Sequence, residues 1–124
     1  EMCIRDRIGL ELGLSVASVG IRGEATGAAR YFNADVAAFA KKALPSGYVL
    51  DGEGGFTIYG GVRPSAVSLD QNLLPLGLAN QVKLRREIKK DQPITVDDVE
   101  LETTSAAFKM RQKTVDLFAA GQTS

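Results

Sequence analysis

The chain has no histidine, no tryptophan and a single cysteine among its 124 residues, and its 15 basic side chains are matched by 15 acidic ones. Each absence removes a class of function. Without histidine, the commonest general acid-base group and the commonest metal ligand are both missing. One cysteine allows no internal disulfide, which suits a reducing compartment. Balanced charge makes no electrostatic case for nucleic acid or an anionic membrane surface. No apolar run approaches the roughly 18 residues of a membrane span, and no signal-peptide pattern is seen. The expected setting is cytoplasmic, with no nucleic-acid and no membrane partner. The length fits one compact domain with additions, able to bury about two thirds of its unfolded surface.

What the chain does have is a repeat. Residues 41–51, KKALPSGYVLD, align without gaps on residues 85–95, RREIKKDQPIT, at a constant offset of 44. Each copy runs basic, basic, any, aliphatic, then loop formers, a tight-turn residue, apolar residues and a polar stop. In the second copy Val82, Leu84, Arg86 and Ile88 fall on one face of a strand, and Lys83, Arg85 and Glu87 on the other. Asp91 stands where the first copy has Gly47, and both residue types suit a positive φ. Pro93 removes a backbone donor, so the piece after it pairs on one side only. Thr95 and Asp98 have the spacing of a short-armed capping box over a turn at 96–99. Two copies are too few for a solenoid and predict one small domain with approximate two-fold internal symmetry.

The remaining segments fall around this pair. Residues 1–7, EMCIRDR, resemble a translated adaptor string found at the ends of reading frames assembled from environmental DNA. The expectation is a non-native scar ahead of the tail of a longer protein. In residues 8–21 Ile8, Leu10, Leu12, Leu14 and Val16 alternate like a strand, yet the apolar residues also surround a helix. The length favours a buried helix. Residues 22–34 read as a connector broken by Gly23 and Gly27. Val36, Ala38 and Ala40, alternating with Ala37, Phe39 and Lys41, predict the first strand of the domain. Phe56, Thr57, Ile58 and Tyr59 predict a short strand set among glycines, and residues 63–72 a polar surface loop. LLPLGL, residues 73–78, reads as a buried irregular crossover. Residues 103–119 predict a helix with Ala107, Phe108, Arg111, Val115 and Phe118 on one face, ended by Gly121.

The doubled basic-basic-x-aliphatic pattern, with Leu74-Pro75-Leu76-Gly77-Leu78 between the copies, resembles the SAF domain, a family similar to type III antifreeze proteins with the β-clip fold. The resemblance implies a mainly β architecture: a β-clip with a pseudo-two-fold repeat over 35–102, flanked by an N-terminal helix and a C-terminal amphipathic helix at 103–120. A narrower resemblance rests on IGLELGLSVASVGIRGE, AKKALPSGYVLDGEGGFTIYGG and LPLGLANQVKLRREIKKDQPITVDDVEL, and most of all on residues 51–60, DGEGGFTIYG. These look like the C-terminal part of NAD(P)-dependent oxidoreductases similar to homoserine dehydrogenase, a group that includes reductoisomerase-like enzymes acting on deoxyxylulose phosphate. The resemblance implies that residues 8–34 end a preceding catalytic domain. It implies as partners an absent N-terminal dinucleotide-binding domain and an absent catalytic domain, with NAD(P) bound by the parent. No catalytic, cofactor or metal residue carries over to this chain. The other reading is a stand-alone SAF module that binds a sugar acid or sialic-acid-like ligand.

Several side chains invite a role. Lys83, Arg85, Arg86, Lys89 and Lys90, beside Lys41 and Lys42, could meet an anion at a domain interface, or could form a solvated face balanced by Glu87, Asp97 and Asp98. Asp51 and Glu53 are paired carboxylates in a glycine-rich loop, where a turn-stabilising role is favoured over acid-base work. Tyr59 could face a neighbouring domain or pack in the core. Arg22 and Glu24 sit where an interface salt bridge would join the preceding domain. Phe108, Val115 and Phe118 are expected to dock the last helix, with a homo-oligomer as one destination. No Gly-x-Gly-x-x-Gly opens a helix, so no dinucleotide site is expected here.

Overall fold

The structure is a computed structural model that describes residues 12–27 and 31–121. The chain divides into two units, Glu1–Arg30 and Tyr31–Ser124.

In the first unit, helix α1 (Leu12–Ala17) continues as a π-helical segment, Ser18–Arg22. Gly23 ends it in the left-handed region at φ 65, donating its amide to Val19 at 3.1 Å. The Ser18 hydroxyl donates to the Glu24 carbonyl at 3.0 Å and ties down the exit. The expectation of a buried helix over 8–21 is corrected here: Leu12, Leu14, Val16, Val19 and Ile21 are exposed, and Ser18 is the buried residue. A six-residue helix apolar all round has no inner face to bury within so small a unit. Residues 8–11, and the scar expected at 1–7, lie outside the described residues.

The second unit holds two open antiparallel sheets. Strand β1 (Ala34–Ala40) pairs with β3 (Ile58–Pro64) in an uninterrupted register. Strand β2 (Val49–Asp51) pairs with β4 (Asn80–Leu84), which pairs with β5 (Val99–Glu100). Helix α2 (Ser65–Asp70), 3-10 turns at Leu76–Leu78 and Val96–Asp98, and helix α3 (Ala106–Gly121) complete it. Helix at about 35% exceeds strand at about 29%, so the protein is mixed α/β rather than mainly β.

The 44-residue offset reappears in the hydrogen bonds. Leu44 and Ile88, matched by that offset, exchange both amide bonds with each other at 2.9 Å. The Gly47 amide donates to Leu84 and the Asp91 amide to Ala40, both at 2.8 Å, and 47 matches 91 as 40 matches 84. Leu84 donates to Tyr48, and Ala40 to Gln92, in the same relation. Gly47 at φ 82 and Asp91 at φ 61 make the equivalent left-handed turns. The buried core is assembled from matched pairs: Ala38 with Val82, Ala40 with Leu84, Leu44 with Ile88, and Leu50 with Ile94. Two of the four matched positions set alanine in the first copy against a larger residue in the second, and Leu74 of the crossover joins the same cluster. Its amide and carbonyl link Ile94 to Ala38 at 2.8 and 2.9 Å. Each fully buried aliphatic side chain contributes about 1.5–3 kcal/mol.

Three other expectations change. β3 starts at Ile58 and runs to Pro64, leaving Phe56 87% exposed. Residues 63–72 are not a surface loop: they complete β3 and form α2, whose Ser65 and Ser68 are buried. α3 starts at Ala106 rather than Thr103: the cap expected within residues 103–105 is Ser105, whose hydroxyl accepts the Phe108 amide at 3.2 Å, and the helix reaches Gly121 as expected.

Candidate functional site

Among the described residues Arg86 is the member of the basic cluster held in place by an acid. Its guanidinium grips both carboxylate oxygens of Asp98, at 3.0 Å from Nη2 to Oδ2 and more closely from Nε to Oδ1. Asp98 is buried, which raises its pKa, but the bonds from Arg86 and from Thr95 outweigh burial and hold the carboxyl below the ordinary aspartate value. Arg86 is thereby committed to the fold. Lys83 and Arg85 are exposed on the β4 side, where Lys83 stands opposite Val49 and Glu100. Lys41 donates to the Gly55 carbonyl at 2.6 Å, and Lys42 lies 5.8 Å from the centre of the Tyr48 ring. The structure does not converge these cations on one point.

Asp51 closes the glycine-rich loop. The Thr57 hydroxyl and the amides of Phe56 and Thr57 all donate to its carboxylate, and the Thr57 hydroxyl leads in holding its pKa below the ordinary aspartate value. Glu53 is exposed and stands apart from this network. Gly55 is needed where it is because a Cβ there would fall on the Asp51 carboxylate. The loop then enters β3 rather than a helix, so it offers no helix N-terminus for a pyrophosphate.

Tyr59 belongs to an aromatic surface. Its ring stacks on Phe39 at 5.5 Å, its hydroxyl donates to Asp91 at 3.4 Å, and the Arg63 guanidinium lies over Phe39 at 4.6 Å. Arg22 and Glu24, in the first unit, both line a hollow of about 570 Å³ with Leu14, Ser15 and Ser18. The ion pairs among the described residues are Arg86 with Asp98 and Arg111 with Asp35.

That second pair is what the sequence reading missed. Asp35, 8% exposed, accepts both terminal nitrogens of Arg111 and the Ser68 hydroxyl, the latter at 2.7 Å. Arg111 also lies 4.9 Å from the centre of the Phe32 ring, and Phe32 packs against Phe118 at 6.1 Å. Phe108 and Val115 line a groove of about 190 Å³ with Leu69, Leu73, Leu78 and Val96. The stripe of α3 thus faces its own unit, while Met110 and Leu117 stay exposed. The signal was present: an arginine centred in an apolar stripe needs a buried acid to meet it. Among the described residues no group of three His, Cys, Asp or Glu side chains could hold a metal ion, and no helix is long and apolar enough to cross a membrane.

Comparison with protein-family models and with curated proteins returns no match.

Proposed function

We propose that residues 35–102 are a SAF-type β-clip module that serves as the C-terminal, non-catalytic part of an NAD(P)-dependent oxidoreductase similar to homoserine dehydrogenase. The observation that carries the reading is the paired hydrogen-bond set about Leu44 and Ile88, in which residues 44 apart play the same part twice. It is the arrangement a duplicated clip requires, and the DGEGGFTIYG phrase at 51–60 adds the narrower likeness to the oxidoreductase group.

In this reading the module shapes the rim of a neighbouring active site and supplies no reacting group. Asp51 and Asp98 are occupied in closing turns, and Arg86 and Arg111 are occupied by acids. The exposed Lys83 and Arg85 remain able to meet an anionic substrate held by another domain. NAD(P) belongs to that other domain.

Titrating the full chain with NADPH and following cofactor fluorescence tests the non-catalytic assignment. No saturable change is expected, and a micromolar Kd would overturn it. The parentage is tested separately by the genomic reading frame upstream of Ile8. A strand, a glycine-rich turn and a helix should be encoded there, and a frame lacking them refutes the parent.

A further inference from the structure

Among the described residues strand β3 pairs along one of its edges. The Lys41 amide donates to the Thr57 carbonyl at 2.8 Å, which sets the phase of the ladder. In that phase Tyr59, Gly61 and Arg63 exchange hydrogen bonds with β1. The even residues of β1 turn the other way, Ala38 and Ala40 donating to Leu74 and Gln92. By the same alternation the amides and carbonyls of Ile58, Gly60 and Val62 point away from β1. Ile58 is buried, while Gly60 and Val62 are exposed. Among the described residues no backbone group bonds to either, and the Val62 carbonyl receives the Arg63 guanidinium at 2.9 Å. The edge carries no lysine and no bulge, and Pro64 comes after the last open amide. Its guards are Arg63, whose guanidinium must share or leave the Val62 carbonyl when a strand pairs there, and Pro64 at the end, so the amides of Gly60 and Val62 stay open.

We propose that this edge joins two copies of the chain, β3 against β3 and antiparallel, about a two-fold axis at Gly61. Gly60 of each copy pairs with the partner's Val62, giving four backbone hydrogen bonds. Gly61 meets the partner's Gly61 at the closest point of the ladder, where neither has a side chain of its own and the Phe39 ring of the same copy lies over that face. On one face Tyr59 stands opposite the partner's Arg63. That pairing extends the stack of Arg63, Phe39 and Tyr59 across the interface, and brings the partner's Arg63 toward the Asp91 carboxylate beside the Tyr59 hydroxyl. On the other face Val62, 66% exposed, lies over the partner's Gly60. A Cβ at Gly60 would stand 2.7 Å from Val36 and 2.8 Å from Leu76, so those two side chains form an apolar seat there. The next pair would set Pro64, which has no amide, against buried Ile58, so the ladder stops after four bonds. The contact is isologous and closes on itself. This inference stands apart from the proposed function, since it needs no parent enzyme and no cofactor.

Four backbone bonds and a few side chains per copy predict a weak dimer, with Kd on the order of 100 µM. Sedimentation velocity of the full chain from about 10 µM to about 1 mM should show monomer giving way to dimer over that span. Amide exchange at Gly60 and Val62 should slow as concentration rises. Val62→Lys changes an exposed side chain, so the monomer should keep its circular dichroism and Tm; Arg63→Glu also gives up the contacts with Phe39 and the Val62 carbonyl and should lower Tm slightly, and both should weaken dimerisation at least about tenfold. The proposal is overturned if the wild type sediments as a monomer throughout, if both variants dimerise as the wild type does, or if concentration-dependent protection appears on α3 instead of β3.

Discussion

In the first copy an aspartate at position 51 receives the amides of Phe56 and Thr57 across a glycine-rich loop, and its own amide donates to the Thr57 hydroxyl at 3.3 Å. In the second copy the matching position, 95, is a threonine. It receives the amide of Asp98, and its own amide donates to the Asp98 carboxylate at 2.9 Å. Both turns are closed by the same reciprocal box, with acid and alcohol exchanged. Thr57 and Asp98 also hold equivalent places beyond the turn, since their carbonyls accept the amides of Lys41 and Arg85 at 2.8 and 2.7 Å. The two acids are not equal, however. Asp98 is 3% exposed and meets Arg86, whereas Asp51 is partly open to water and has only neutral donors. The difference shows that the box sets the geometry while burial and a cationic partner set its weight.

The most direct way to break the comparison is to truncate each acid. Asp98→Ala removes a cap, leaves the Thr95 amide without its acceptor and gives up the pair with half-exposed Arg86, and should cost about 2 kcal/mol. Asp51→Ala loses a cap alone and should cost about 1 kcal/mol. Urea denaturation of the two variants against wild type measures both. Equal costs would mean that Arg86 adds nothing to the second box.

Acid sharpens the same contrast at a smaller scale. Both carboxyls sit below the ordinary aspartate value of 3.8 in the folded state. A depressed folded pKa means that the fold favours the ionised form. The stabilisation is therefore complete above 3.8 and is lost as pH falls from there through the folded pKa. Between pH 6 and pH 3 the urea midpoint of the wild type should fall more steeply than that of Asp98→Asn. Asp51→Asn should flatten the acid limb less. An unchanged limb in Asp98→Asn would remove Asp98 from the acid response.

These elements also show what a sequence can reveal. The ungapped match of 41–51 to 85–95 was visible because it repeats residue classes, and the bonds between Leu44 and Ile88 follow it. Beyond position 51 the correspondence slips by three residues, 57 answering to 98, and the two residue types trade places. Neither pattern nor spacing exposes that. Helix α2 was hidden for a different reason. Its inner face is polar, with Ser68 donating to Asp35 and Ser65 to the Phe32 carbonyl, so it lacks the apolar stripe by which a helix is recognised. The pairing of Asp35 with Arg111 spans 76 residues and is a tertiary choice. The basic cluster was legible as a set of charges, but which of them had acids to answer to was not.

The smallest expected effect lies at the two left-handed turns. Gly47 at φ 82 and Asp91 at φ 61 adopt nearly the same backbone, one without cost and the other with the strain of a side chain. Gly47→Ala should destabilise by about 1 kcal/mol, since the new Cβ meets the following carbonyl. Asp91→Gly relieves strain but frees the unfolded chain, so the net change should stay within about 0.5 kcal/mol. If Asp91→Gly costs as much as Gly47→Ala, the deciding factor is the lost acceptor for the Tyr59 hydroxyl rather than the backbone. Asp91→Asn separates the two, because it keeps a side-chain oxygen for Tyr59 and still tolerates the left-handed region. Stability restored to wild type in Asp91→Asn would assign the cost to that contact.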